Sequence, residues 1–282
     1  MIFSRKRISG TAIVTGAASG LGRAIALELA RDGWRLALID LPAEGLDSGD
    51  SPAMDELLKI ARASGGGGLV ATFDVRDADS WQRLHDRLRS EWGSLDLLVN
   101  SAGVGATGEV GSLPAGQWRR VIETNLIGTA LGCETFLPWL RAHPHTSHLI
   151  NVASIAGILA LPSMAAYSAS KAGVIALSES IAAECGYRRP GVTIVCPGFF
   201  RSGLLTTWHF SSPIESKEAR RRMRSAWWSS ERVARRALRA ARLNRRYLVV
   251  GVTARWLWRL KRLAPRVTTC IIHMVYKRLT RD

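Results

Sequence analysis

The sequence predicts a doubly wound α/β fold, in which one parallel sheet of about seven strands is flanked by helices on both faces. From residue 10 to residue 252, short apolar runs alternate with longer segments of helical periodicity, which is the pattern of repeated βαβ units. The apolar runs are continuous rather than alternating, as in strands that are buried on both faces. A length of 282 residues with 47% hydrophobic residues suits one large domain and excludes a disordered chain.

The elements follow in order along the chain. The segments predicted as strands are Thr11–Thr15, Arg35–Asp40, Leu69–Asp74, Leu95–Asn100, His148–Ala153, Val192–Cys196 and Tyr247–Val252. Helices fit between them at residues 21–32, 53–63, 78–91, 115–141, 167–186 and 231–243. The glycines Gly65–Gly68 predict a turn, which is too short for a domain linker. We therefore assign residues 1–252 to one domain and residues 253–282 to a C-terminal extension.

The charge is unevenly distributed along the chain. Residues 1–200 contain 18 basic and 19 acidic side chains, whereas residues 201–282 contain 21 basic and 4 acidic ones. The formal net charge of +16 therefore arises from the C-terminal part.

The C-terminal extension shows a second pattern. At helical spacing, Trp256, Leu257, Leu260 and Leu263 share one face opposite arginines, and a second helix is predicted at Val267–Leu279 after Pro265. A basic amphipathic pair of helices with tryptophans is typical of a segment that lies in a membrane interface. A helix pair that packs on its own domain, or on a partner subunit, fits the pattern equally well.

Cysteines and histidines predict no metal site and no disulfide framework. The four cysteines lie far apart without a C-x-x-C pair, which favours a reducing, cytoplasmic setting. His143, His145 and His148 are expected to be surface residues of a loop rather than ligands. No apolar stretch approaches the roughly 20 residues needed to span a bilayer, and the basic N-terminus lacks the apolar segment of a secretory signal.

A glycine-rich turn lies between the first strand and the first helix. Its glycines Gly16, Gly20 and Gly22 allow a pyrophosphate to approach the helix N-terminus closely. Asp40 ends the second strand, where a carboxylate can accept hydrogen bonds from ribose hydroxyls and would repel a 2′-phosphate. No lysine or arginine follows in residues 41–44, so NAD is favoured over NADP.

Tyr167 and Lys171 are four residues apart on a predicted helix and therefore project from one face. A nearby ammonium favours the phenolate and lowers the pKa of a tyrosine, which suits proton transfer. Ser154, just past a strand, is placed to hydrogen-bond a substrate oxygen. Taken singly, these residues also fit a surface pair and a turn serine.

Six motifs together resemble the classical short-chain dehydrogenase/reductase family in order and spacing. They are Thr15–Gly22, Asn100-Ser101-Ala102-Gly103, Asn125, Ser154, Tyr167-Ser168-Ala169-Ser170-Lys171 and Pro197-Gly198. The resemblance covers residues 9–252 and implies a Rossmann-type sheet. Ser101 replaces the usual second asparagine and Ala153 replaces a frequent serine, but neither departure removes a catalytic group.

The resemblance implies a role for each matching residue. Tyr167 is expected to be the catalytic acid/base and Lys171 to lower its pKa, while Ser154 anchors the substrate oxygen and Asn125 holds a water in a proton relay. The implied cofactor-binding residues are Gly16, Ser19, Gly20, Leu21, Gly22, Asp40, Asp74, Val75, Asn100, Ala102, Gly103, Tyr167, Lys171, Pro197, Gly198 and Phe200.

The leading functional hypothesis is an NAD-dependent oxidoreductase acting on a lipophilic alcohol or carbonyl, such as a steroid, a retinoid or a long-chain alcohol or aldehyde. The segment 199–230, where a substrate lid is expected, is rich in large apolar residues that suit such a substrate or pack the lid onto the body. A reductase of 3-oxoacyl thioesters is the alternative. A dinucleotide-sensing or nucleic-acid-binding protein is disfavoured by the intact catalytic set. A homodimer or homotetramer is expected, with an anionic membrane surface as a further partner.

Overall fold

A seven-stranded parallel sheet forms the centre of the structure, a computed structural model that describes residues 10–42, 51–186, 189–201, 205 and 208–279. Its strands are β1 (Thr11–Thr15), β2 (Arg35–Asp40), β3 (Gly67–Thr72), β4 (Leu97–Asn100), β6 (His148–Val152), β7 (Gly191–Pro197) and β9 (Tyr247–Val250). They lie in the order β3-β2-β1-β4-β6-β7-β9. Two short strands, β5 (Ala106–Thr107) and β8 (His209–Phe210), pair separately in parallel. The predicted doubly wound α/β fold is confirmed.

The helices follow the predicted order with three additions. They are α1 (Gly20–Arg31), α2 (Pro52–Ala63), α3 (Ala78–Glu91), α4 (Ala115–Ile122), α5 (Gly128–Arg141), α6 (Ile155–Leu159), α7 (Ala165–Cys185), α8 (Pro213–Arg224), α9 (Ser230–Arg242), α10 (Val252–Leu263) and α11 (Pro265–Leu279). A π-helical segment, Glu123–Ile127, joins α4 to α5, so the helix predicted at 115–141 is interrupted in its middle. The short helix α6, the helix α8 and the π-helical segment were not predicted.

Two core layers cover the sheet. Successive residues of β1 enter opposite layers, Val14 packing with α1, α2 and α9 and Ile13 with α3, α5 and α7. Both side chains are fully buried. This is the reason that the strands appear in the sequence as continuous apolar runs.

Strand β3 begins two residues earlier than predicted. Gly67 and Gly68 pair with Arg35 and Leu36 of β2 instead of forming part of the turn. Gly68 has φ +134°, and a Cβ added there would lie 1.8 Å from the carbonyl oxygen of Leu36. The glycine run thus allows two strands to approach each other closely, although its composition by itself indicates a turn.

Of the three clustered histidines, His143 is buried and His148 is half-buried in a strand, so the assignment of these two to the surface of a loop is wrong. His148 is the first residue of β6, and its Nε2 lies 2.8 Å from Thr193 Oγ1. Burial lowers the pKa of His148 to about 4. His143 is 6% exposed, with its Nε2 3.1 Å from Asp96 Oδ1. Pairing of β6 with strands on both sides draws this region into the protein.

Helices α10 and α11 confirm the helices predicted in the C-terminal extension, but their orientation differs from the prediction. Ala254, Leu257 and Trp258 pack on β7, β9, α6 and α7, at the i, i+3, i+4 spacing of one helical face. Leu257 therefore faces inward, whereas Trp256 and Leu263 are 65% and 86% exposed. Among the described residues, no helix is long and apolar enough to cross a membrane.

The close approach at Gly68 gives a stability prediction. Gly68→Ala is expected to lower the free energy of unfolding by about 2–4 kcal/mol, because the new methyl group meets the β2 backbone and the φ is strained for alanine. Urea unfolding measures the change. Gly67→Ala is the matched control, since an added Cβ there meets nothing within 4 Å. Equal stability of the two variants would contradict the close approach of β3 to β2.

Candidate active site

A cleft opens at the carboxyl ends of the strands, where the strand order reverses between β1 and β4. Open parallel sheets bind ligands at such a switch point. All but two of the predicted cofactor-binding residues line this cleft, namely Gly16, Ser19, Gly20, Leu21, Gly22, Asp40, Asp74, Val75, Ala102, Gly103, Tyr167, Lys171, Pro197 and Phe200. Asn100 and Gly198 do not line it.

The glycine-rich turn brings two stretches of backbone into contact. Gly16 has φ +67°, and a Cβ added at Gly22 would lie 2.1 Å from the carbonyl oxygen of Gly16. Helix α1 begins at Gly20, and the side chain of its N-cap residue Ser19 makes no capping hydrogen bond. The first turn of α1 therefore presents backbone N–H groups to the cleft, a site that suits an anion such as a pyrophosphate.

Asp40 is fixed at the edge of the cleft by the same turn. Its Oδ2 accepts a 2.8 Å hydrogen bond from Ala18 N, and its Oδ1 accepts one of 2.9 Å from Leu41 N. Burial raises the pKa of Asp40, and the two backbone hydrogen bonds oppose that increase. Leu41 follows it on the cleft wall, while residues 43 and 44 lie outside the described residues.

Asp74 lies in an ion-pair network that the sequence did not indicate. The Arg76 guanidinium is 2.6 Å from the Asp74 carboxylate and 3.4 Å from that of Glu123. The hydrogen bond from Arg76 lowers the pKa of Asp74. Arg76 thus brings a positive charge to the cleft, and two carboxylates neutralise it locally.

Thr15 and Asn100 hold the loop that follows β4. Thr15 Oγ1 accepts hydrogen bonds from Ser101 N at 2.9 Å and Ala102 N at 3.0 Å. Asn100 Nδ2 donates to Asn151 Oδ1 at 2.9 Å, so its side chain is buried between β4 and β6. The expectation that Asn100 lines the cofactor cleft is therefore corrected: it supports the loop from beneath. The motif Thr15–Gly22 includes Thr15, but its spacing did not show that the side chain would hold the loop after β4.

Asn125 lies in the π-helical segment and is fully buried. Its Oδ1 accepts a hydrogen bond from Val104 N at 2.8 Å, and its Nδ2 donates to Val104 O at 2.9 Å and Ser170 Oγ at 3.0 Å. A Cβ added at Gly103 would lie 3.1 Å from Asn125 Oδ1 and 3.4 Å from Lys171 Nζ. Asn125 therefore joins the β4 loop to helix α7.

Ser154, Tyr167 and Lys171 come together at the inner end of the cleft. Ser154 is the N-cap of α6, its Oγ accepting a 3.1 Å hydrogen bond from Ala156 N, and it acts on the Tyr167 hydroxyl by lowering its pKa. Lys171 Nζ donates to Val152 O at 2.9 Å and lies 5.9 Å from the centre of the Tyr167 ring. All three side chains belong to residues less than 10% exposed.

Burial governs the protonation of this trio. It raises the pKa of Tyr167 to about 12 and lowers that of Lys171 to about 8. The pKa of Tyr167 is thus raised and not lowered as expected, because loss of hydration is the largest cause and Ser154, not Lys171, is the group that opposes it. At neutral pH Tyr167 is therefore protonated and available as a proton donor.

Trp208 covers Tyr167 and was not singled out for that position by the sequence. The two ring centres are 4.9 Å apart. A Cβ added at Gly105 would lie 2.2 Å from the Trp208 indole, so the absence of a side chain at Gly105 makes room for Trp208. Pairing of β5 with β8 fixes the adjoining residues. The part of the expected lid nearest the site thus packs directly on Tyr167.

The surroundings of Tyr167 are apolar. One cluster contains the tyrosine together with residues from the β4 loop, α4, α6 and the start of α7: Val104, Ala106, Leu113, Val121, Ala156 and Ala166, with Trp118, Leu161, Met164 and Trp208 at its margin. The glycine-lined cleft ends at Tyr167 beside this cluster, and the half-buried members Trp118, Leu161, Met164 and Trp208 form what we call the apolar half of the site.

Comparison with known proteins agrees with this geometry. A family model described as short chain dehydrogenase matches residues 10–210. The chain belongs to the short-chain dehydrogenase/reductase family. It is 28% identical to a family member from Burkholderia phymatum solved in complex with NAD, with a TM-score of 0.83, coverage of 94% of this chain and 96% of that one.

Curated relatives of this short-chain dehydrogenase/reductase have different overall lengths. The probable oxidoreductase EphD of Mycobacterium tuberculosis is 34% identical over 205 residues, which are 73% of this chain and 33% of that protein. This chain thus spans about a third of that relative. The 3-oxoacyl-(acyl-carrier-protein) reductase FabG of Staphylococcus aureus is 32% identical over 198 residues, or 70% of this chain and 77% of FabG.

The buried lysine gives a prediction of pH dependence. Because the pKa of Lys171 is about 8 in the folded protein and 10.5 for an ordinary lysine, the unfolded state binds more protons between these values. The contribution of Lys171 to the free energy of unfolding is therefore expected to rise with pH across this window, by an amount of the order of 2 kcal/mol, while the raised pKa values of Cys133 and Cys196 act in the opposite direction. Urea unfolding at about pH 8 and pH 10 measures it.

Two variants isolate this contribution. The free energy of unfolding of the wild type minus that of Lys171→Met should increase as pH rises, since the variant lacks the titrating amine. Lys59→Met removes an exposed lysine from α2, and its free energy of unfolding should change between about pH 8 and pH 10 as that of the wild type does. The assignment fails if both variants follow the same pH dependence.

Proposed function

We propose that this short-chain dehydrogenase/reductase is an NAD-dependent oxidoreductase of lipophilic alcohols or carbonyl compounds that works through Ser154, Tyr167 and Lys171. The single observation that carries the proposal is the position of this trio, at the point where the glycine-lined half of the cleft meets the apolar half.

The residues present fit a nicotinamide dinucleotide. The crossing of Gly16 and Gly22 leaves no room for side chains beside the α1 N-terminus, which suits a pyrophosphate, and Asp40 lies where ribose hydroxyls need an acceptor. The related Burkholderia phymatum structure contains NAD, which supports the same class of cofactor here. When bound, this group supplies the hydride or accepts it.

The trio handles the proton and the substrate oxygen. Ser154 lies close enough to the Tyr167 hydroxyl to lower its pKa, so both side chains can contact one substrate oxygen. In reduction, protonated Tyr167 gives its proton to that oxygen; in oxidation, the phenolate takes the proton back. Lys171, held by the Val152 carbonyl, supplies positive charge beside the ring. Asn125 keeps Gly103 and helix α7 in register, and we assign it the implied water-holding role in the relay.

The preference for NAD rests on Asp40. Its carboxylate is fixed by two backbone hydrogen bonds and cannot turn away from a 2′-phosphate without breaking them. Arg76, the basic residue on the nearby wall, is already paired with Asp74 and Glu123. Repulsion by Asp40 therefore dominates at this end of the cleft.

The lipophilic substrate class rests on the apolar half. Trp208, Phe210 and Tyr167 form a continuous row of rings, since the Trp208 and Phe210 centres are 6.3 Å apart in a stacked arrangement. A substrate that reaches Ser154 from this side must lie against these rings, which favours apolar groups.

Cofactor choice is testable by replacing one carboxylate. Asp40→Asn keeps an acceptor for Ala18 N but removes the charge, and Asp40→Ala removes both. Both variants are expected to lower the ratio of kcat/KM with NAD to that with NADP by about tenfold or more, because a 2′-phosphate is no longer repelled. Steady-state kinetics with both cofactors measure the ratio. Asp79→Asn, an exposed residue of α3, is the control; a wild-type preference for NADP(H) contradicts the proposal.

Proton transfer through Tyr167 is tested separately. Tyr167→Phe keeps the ring that packs on Trp208 and removes the hydroxyl, so kcat should fall by at least about 10²-fold while the cofactor still binds. Tyr247→Phe removes a tyrosine hydroxyl from β9 and should retain nearly wild-type kcat. Turnover by Tyr167→Phe near the wild-type rate would exclude this mechanism.

A reductase of 3-oxoacyl thioesters is the second candidate, favoured by the identity with the Staphylococcus aureus FabG. A panel of steroids, retinoids, long-chain alcohols and aldehydes, and 3-oxoacyl thioesters, followed by NADH absorbance, separates the two. Turnover of the thioesters alone would replace the leading proposal.

A further inference from the structure

A stripe of apolar side chains runs along the outer surface of α10 and α11. These residues are half or more exposed: Val252, Trp256, Leu263, Val267, Met274 and Val275. In α10 they are spaced by four and seven residues, and in α11 Met274 and Val275 follow Val267 by seven and eight residues, so each set lies about two turns apart on its helix. We refer to these six residues as the outer stripe.

The inner side of the helix pair is already occupied. Ala254, Leu257, Trp258 and Ile272 pack against the core behind β7 and β9. Tyr276 adds a polar anchor, since its hydroxyl lies 3.1 Å from Ser163 Oγ and also hydrogen-bonds Glu109. The rotation of both helices is thereby fixed, so the outer stripe cannot turn inward without losing these contacts.

The outer stripe is surrounded by positive charge. Residues 252–279 contain seven lysines and arginines and no acidic residue. Two of the arginines lie over tryptophan rings, Arg259 at 5.8 Å from Trp256 and Arg262 at 5.5 Å from Trp258. Arginines beside interfacial tryptophans are typical of helices that lie in a lipid interface with their charged groups at the headgroups.

We propose that α10 and α11 dock this protein onto an anionic lipid surface, with the outer stripe inserted among the lipids. Negative headgroups complement the seven basic residues, while Trp256 and Leu263 supply the most exposed apolar area. A second copy of the chain on this face would bring seven further basic residues against the first seven, which charge repulsion opposes.

The docked surface would adjoin the apolar half of the cleft. Tyr276 hydrogen-bonds Ser163 and Glu109. Ser163 lies just before α7, the helix that carries Tyr167, and Glu109 lies just after β5. Leu161 packs against both the cluster around Tyr167 and the cluster that includes Ile272. Docking thus places the substrate end of the cleft near lipid; this consequence, unlike the docking itself, rests on the proposed function.

Sedimentation with vesicles tests the docking without any use of enzyme activity. The full chain is mixed with vesicles of equal parts phosphatidylglycerol and phosphatidylcholine, and with vesicles of phosphatidylcholine alone. Binding should be stronger to the anionic vesicles and only partly reversed by high salt, because salt screens the charges but not the apolar insertion.

Paired variants assign the binding to the outer stripe. Trp256→Glu with Leu263→Glu should weaken partitioning by about tenfold or more, and the neutral pair Trp256→Gln with Leu263→Gln should weaken it in the same direction. Trp227→Glu with Leu243→Glu makes the same substitutions at residues 79% and 52% exposed outside α10 and α11, and this control pair should bind much more strongly than the Trp256 and Leu263 glutamate pair. Circular dichroism and thermal melting confirm that each variant is folded.

Two results would overturn the proposal. The first is a full chain that binds neither kind of vesicle; if that chain is also a dimer that dissociates in the Trp256 and Leu263 variants, the face is assigned to a second copy. The second is equal binding by the outer-stripe pair and the control pair. Failure to find a lipophilic substrate leaves these measurements unaffected.

Discussion

The hydroxyl of Thr15 joins the two strands between which the order of the sheet reverses. It accepts the backbone N–H groups of Ser101 and Ala102, so the glycine-rich turn after β1 and the loop after β4 are held on opposite sides of one opening. Strand reversal creates the opening, and this hydrogen-bonded contact sets its width at the base. Every other part of the site is placed relative to these two loops, because Asn125 ties the second loop to the helix that carries Tyr167 and Lys171.

Exclusion of water is the second constraint on the site. Trp208 covers the tyrosine, and the neighbouring side chains are apolar, so the phenol and the ammonium are both shifted towards their neutral forms. A dry site strengthens hydrogen bonds and charge interactions with a bound substrate. It also means that the chemistry of Tyr167 depends on what occupies the cleft, since added positive charge there would favour the phenolate.

The charges around the cleft are arranged differently from those on the surface of α10 and α11. Around the cleft, carboxylates and arginines occur in pairs, as in the network of Asp74, Arg76 and Glu123. On α10 and α11 the basic residues have no acidic neighbour in the sequence. Local neutralisation suits recognition of one small molecule, whereas an unbalanced surface attracts an extended anionic partner over distances of about a Debye length.

The sequence by itself determined the fold class and most of the succession of strands and helices, and it singled out Ser154, Tyr167 and Lys171, because local periodicity and motif spacing are displayed directly by a linear chain. The glycine run before Leu69 was misassigned, since a turn and a close strand approach require the same residue type. Tertiary structure decided the features that depend on which distant residues meet. Burial reversed the expected direction of the tyrosine pKa, turned Asn100 away from the cleft and placed Trp208 over Tyr167. Hydration, side-chain direction and helix rotation are set by contacts between residues far apart in the chain, and local sequence patterns carry no record of those contacts.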